Sequence, residues 1–78
     1  MTLRSSCAKR SYTVNAVSCS QSVRARLASM GIVTGTRIYV IRKSPRGDAV
    51  IFVRSSRVAV GEKYASYIFL TEEGGGKP

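Results

Sequence analysis

The sequence predicts a mostly β fold, a small antiparallel β-barrel with one short α-helix between its first and second strands. Three observations predict it. Apolar residues alternate in short runs over residues 11–17, 36–42, 49–54 and 67–70, and only residues 22–30 carry helical spacing. Turn formers separate these runs, with Gly31, Gly35, Pro45 and Gly47 each standing at a junction. At 78 residues the chain has room for one core, since chains this short bury only about 60% of their extended surface. Barrel closure then removes strand edges that so small a chain has little else to cover.

Residues 1–10 are basic and polar, with Leu3 and Cys7 as the only anchors, and read as an N-terminal arm. The domain proper is expected over 11–71, and a glycine-rich disordered tail over 72–78. Residues 11–17 form the first strand, with Tyr12, Val14 and Ala16 on one alternation. Ser20 or Ser22 is placed to cap the helix that follows. Val23, Leu27 and Met30 lie at i, i+4 and i+7 and define its apolar face, with Arg24, Arg26 and Ser29 toward solvent. Gly31 ends the helix in a positive-φ stop that lays Ile32 over Leu27. Gly35 suits a type II turn.

The second strand, 36–42, places Ile38 and Val40 on one face and Arg37, Tyr39 and Ile41 on the other. Residues 42–47 form a hairpin loop in which Pro45 presets φ and Gly47 takes the left-handed position. Asp48 is expected to bond local backbone N–H groups. The run Val50-Ile51-Phe52-Val53 reads as a strand buried on both faces or turning a corner. Ser55-Ser56 makes the next turn, 58–60 a short strand, 61–65 a single helical turn, and 67–70 a closing strand beside the first. Tyr64 and Tyr67 read as core packing with a wet hydroxyl.

The inventory argues against an enzyme. The chain has no histidine, no pair of carboxylates placed to flank a bond and no phosphate loop, and Gly31, Gly35 and Gly47 serve turns. Cys7 and Cys19 are too few for a disulfide scaffold, and without histidine they lack companions for a metal site, so neither cofactor nor metal is expected. No signal peptide or membrane-spanning run appears, and a reducing cytoplasm is the expected compartment. Thirteen Lys and Arg against four acids leave a formal charge of +9, which draws the protein to acidic surfaces and polyanions.

The order Leu27-x-x-Met30-Gly31-Ile32-x-x-Gly35-Thr36, a strand, Ser44-Pro45-x-Gly47-Asp48 and another strand resembles the FeoA family. Arg57-Val58-Ala59-Val60, then Ala65 and Ile68, extend the likeness, which covers roughly 12–70. Glycine is frequent in that family where Ser55 stands, and leucines where Val58 and Val60 stand. The resemblance implies an SH3-like barrel, a domain that also ends some metal-dependent repressors of the diphtheria-toxin-repressor type. It implies a partner too: FeoB, the ferrous-iron transporter, with its cytoplasmic GTP-binding domain. On that implication the contact surface is Arg24, Arg26 and Ser29 on the helix, with Arg42, Lys43 and Arg46 at the hairpin tip. The alternative is a basic nucleic-acid-binding barrel, with Tyr39, Phe52, Tyr64 and Tyr67 available to stack bases if exposed. Tight nucleic-acid binding is not expected, because the cations are scattered along the chain.

Overall fold

The structure, a computed structural model, describes residues 1–72. A 3-10 turn at Leu3–Ser5 leads into β1 (Arg10–Val17), α1 (Gln21–Ser29), β2 (Arg37–Lys43), β3 (Ala49–Val53), β4 (Ser56–Val60), α2 (Glu62–Ala65) and β5 (Ile68–Glu72). The strands form one antiparallel sheet in the order β4-β3-β2-β1-β5, so the last strand does return beside the first.

Each strand turns alternate residues inward. Tyr12 and Val14, Ile38 and Val40, Ile51 and Val53, Val60, and Ile68 and Leu70 join Leu3, Leu27, Ile32 and Ala65 in one core. For one face of five strands to meet in one cluster the sheet must curl, and two bulges help it bend. Asn15 is the extra residue of β1 against β5, and Ile41 that of β2 against β3.

The expected barrel is corrected to an open sheet, since no ladder joins β4 to β5 among the described residues. The outer edge of β5 is taken instead by the chain's own start. Thr2 bridges to Phe69, and the Leu70 N–H donates to the Met1 carbonyl at 2.8 Å.

Residues 1–10 are accordingly no separate arm. Leu3 is fully buried, Thr2 and Ser5 form a capping box, and the Cys7 N–H donates to the Tyr12 hydroxyl at 3.0 Å. Glu72 belongs to β5 rather than to a tail, and residues 73–78 lie outside the described residues. Two burial expectations also fail. Phe52 is 48% exposed, so β3 alternates like an ordinary half-buried strand. Met30 is 38% exposed, because it is the C-cap (φ −96°, ψ 6°) and the chain is already leaving the helix there. The β3–β4 turn is Arg54–Ser55, one residue earlier than expected, with φ of 51° and 65° as in a type I′ turn.

Candidate partner interface

The end of α1 is built by backbone geometry. Ser20 caps its start, its hydroxyl accepting from the Val23 N–H at 3.3 Å. At the other end the Ile32 N–H donates to the Leu27 carbonyl and the Gly31 N–H to that of Ala28, both at 2.9 Å. This is the double bond of a Schellman stop, with Gly31 at φ 89° and Leu27 and Ile32 both in the core. The stem of Arg54 crosses directly over Gly31, where a Cβ would lie 3.0 Å from the Arg54 Cδ. Gly35 (φ 92°) sits third in a turn closed by the Thr36 N–H donating to the Val33 carbonyl at 3.1 Å, as a type II turn requires.

Between α1 and β4 runs a groove in two segments. One, of about 440 Å³, is lined by Val23, Arg26, Leu27, Ser29, Met30, Ala59, Gly61 and Tyr64. The other, of about 370 Å³, shares Ser29 and Met30 and continues to Gly31, Val53, Arg54, Ser56 and Val58. The first adjoins a third hollow of about 300 Å³ at Ala59 and Gly61, where Arg42 stands. The fold thus brings Arg26, Ser29 and Arg42 to neighbouring hollows. Arg24 is on another flank, donating to the Val17 carbonyl at 3.2 Å beside Ile32 and Thr34. Ser29 spends its hydroxyl on the Arg26 carbonyl, at 2.6 Å. Arg46 is exposed at the hairpin tip.

Lys43 is already engaged. Its ammonium donates to the carbonyls of Leu3 (3.0 Å), Arg4 (2.6 Å) and Ser6 (3.0 Å), pinning the N-terminal turn to β2. Partial burial lowers its pKa, opposed by Cys7 and reinforced by Arg4. Gly47 belongs to the same junction: its φ is 112°, and a Cβ there would meet the Arg4 Cγ at 2.6 Å.

The described carboxylates are each engaged by the protein's own groups. Of the four acids, Glu73 lies outside the described residues. Asp48 Oδ1 accepts from the Glu62 N–H at 2.6 Å, capping α2 from a different segment, and Oδ2 accepts from the Ser44 hydroxyl at 3.2 Å. Glu62 lies 3.6 Å from Arg4, and Glu72 lies 2.6 Å from Arg10. Among the described residues, no carboxylate stands within ion-pair distance of Arg26, Arg42, Arg46, Arg54 or Arg57. Cys7 and Cys19 are both free thiols, and no described group of three metal-ligating side chains gathers.

The profile of the FeoA domain matches residues 1–72. The chain belongs to the FeoA family. Its fold matches that of the FeoA protein of Chlorobium tepidum with a TM-score of 0.85 and 26% identity, covering 99% of this chain and 74% of that one. A Stenotrophomonas maltophilia FeoA complexed with zinc, described as a procaryotic SH3 domain protein and put forward as a ferrous iron transport activating factor, shares the fold. There the TM-score is 0.77 at 24% identity, over 91% of this chain and 89% of that one. A manganese-dependent transcriptional repressor also contains the fold, with a TM-score of 0.82 and 22% identity over 92% of this chain and 41% of the repressor. No curated protein sequence matches the chain.

In this FeoA-family fold the groove joins residues that sequence spacing could not put together. Arg54 and Arg57 escape the sequence reading because they count there only among cations scattered along the chain, and Met30 because its spacing matches the core. Tyr39 and Phe52, 40% and 48% exposed, are opposite one another on β2 and β3, with Arg57 next to Phe52 on β4. Only the exposure of that pair distinguishes it from core.

Proposed function

We propose that this FeoA-family protein is a non-catalytic, cytoplasmic accessory of ferrous iron uptake that binds an FeoB-type transporter by protein contact and supports transport. It reaches the membrane only through that partner. The observation that carries the reading, once the family is given, is the set of arginines around the α1–β4 groove and the hairpin that have no carboxylate partner among the described residues. Such a surface steers toward an acidic protein face, and its attraction weakens with salt. Arg26 and Ser29 form one side of the proposed contact and Arg42 and Arg46 the other, with Arg24 on the flank. Lys43 contributes by holding the N-terminal turn in place.

The test is a titration against the purified cytoplasmic GTP-binding domain of a co-occurring transporter at two salt concentrations. Saturable, salt-weakened binding that Arg26→Glu with Arg24→Glu abolishes is the expected result. No binding to that domain at low salt would overturn it. A second reading, binding of single-stranded nucleic acid, draws on the exposed Tyr39–Phe52 pair beside Arg57. A mixed oligonucleotide in the same experiment decides between them, since that reading requires tight binding with a steep salt slope.

A further inference from the structure

The sheet has two ends, and they are treated differently. The edge of β5 is covered by Met1 and Thr2, whereas the outer edge of β4 carries no backbone partner among the described residues. Exposed strand edges are usually covered, charged or kept short, because they invite another strand.

The register says which groups β4 offers. A two-residue hairpin makes Val53 and Ser56 its hydrogen-bonded closing pair, and bonded and non-bonded pairs then alternate. Val58 and Val60 therefore bond back to β3, while the N–H and C=O groups of Arg57 and Ala59 point outward. Beside that edge lies the α1–β4 groove, with an apolar floor from Val23, Met30, Val58 and Tyr64. Its charged lining is cationic, from Arg26 and Arg54, and Arg57 projects from the strand itself.

We infer that this edge is a strand-addition site for an extended acidic segment of a partner protein. Such a segment pairs its backbone with Arg57 and Ala59, turns alternate apolar side chains onto Met30 and Val58, and presents the carboxylates between them to Arg57 on the opposite face. Five residues of β4 span about 17 Å, which sets the length of the paired segment. A second copy of this chain is a poor occupant, because pairing two such strands brings like arginines together. The inference rests on the protein-partner reading above and names how that contact is made.

Two probes test it separately from that reading. The first is a capped heptapeptide of alternating valine and glutamate, with its glutamine counterpart as control, added to the full chain while amide exchange is followed by NMR. Slowed exchange at Arg57 and Ala59, with weaker binding of the glutamine peptide, is expected. Exchange unchanged at those amides, or changes centred on Tyr39 and Phe52, would overturn the inference. The second probe is the transporter's GTP-binding domain with Ala59→Pro, which removes an outward N–H without touching the β3 ladder, and Ala59→Val, which keeps it. Binding should fall roughly tenfold for the proline variant only. Equal binding by both variants would leave the transporter partnership standing and remove strand addition. Peptide pairing without domain binding would do the reverse.

Discussion

Ser55→Gly should stabilise this protein. Ser55 holds φ at 65° in the two-residue turn between β3 and β4. A left-handed conformation costs a residue with a Cβ about 1–2 kcal/mol. Its side chain is exposed and its hydroxyl has no partner among the described residues, so the exchange removes no contact. Against the gain stands the greater freedom of glycine in the unfolded chain, about 0.5–1 kcal/mol. The net is a gain of roughly 0.5–1 kcal/mol, which for a domain this small is a rise of about 3–6 °C in Tm. Thermal unfolding followed by circular dichroism measures it directly. Arg54→Gly is the internal comparison: it relieves a φ of 51° but removes the stem lying over Gly31, so its gain should be smaller or negative. An unchanged or lower Tm for Ser55→Gly, or a larger gain for Arg54→Gly, would refute the reasoning.

Gly31→Ala combines a φ of 89° with a 3.0 Å approach to Arg54 Cδ and should lose about 1–3 kcal/mol in denaturant unfolding. Lys43→Met keeps the stem but leaves the Arg4 and Ser6 carbonyls without a donor, that of Leu3 keeping the Ser6 N–H and hydroxyl; a loss of about 1–3 kcal/mol, with faster amide exchange in residues 3–6, is expected. The lowered pKa of Lys43 gives that pair a pH signature. The unfolded chain binds the Lys43 proton more tightly than the folded one, so wild type should gain on Lys43→Met as pH climbs from the folded pKa toward 10.5, and show no further change below that window. Tyr12→Phe strips the Cys7 N–H of its acceptor and should cost about 1–2 kcal/mol, read from the same unfolding curves.

The sequence made the strands legible because Tyr12 and Val14, Ile38 and Val40, and Ile68 and Leu70 alternate against polar neighbours, and a half-buried sheet imposes that period. Gly31 and Gly35 were legible because their turns demand a backbone that only glycine adopts freely. What stayed hidden depended on distant partners. Residues 1–10 have one strong apolar anchor, Leu3, and what fixes them are bonds to distant segments, to Lys43 some forty positions away and to β5, which leave no local pattern. The Arg54–Ser55 turn contains none of the residues that announce left-handed conformations, so its position was read one residue late. In the run 50–53, four apolar residues conceal an ordinary alternation, since nothing local marks Phe52 as the outward one. The candidate interface was half legible: Arg26, Ser29 and Arg42 were singled out by type, but that Arg26 and Arg42 flank the same pair of residues, Ala59 and Gly61, follows only from tertiary packing.

The Asp48 carboxylate has a bearing on which parts of the chain open together. α2 is four residues long, and its N-cap is Gly61, which has no side chain to satisfy the first free N–H. That group is satisfied by Asp48, fourteen positions back, whose own position is set by the turn between β2 and β3. A helix so short has no stability of its own, since nucleating a single turn is unfavourable. Its first N–H is therefore satisfied only while the hairpin holds Asp48 in place. Hairpin and helix are expected to open together, and native-state exchange should show their amides sharing one opening free energy.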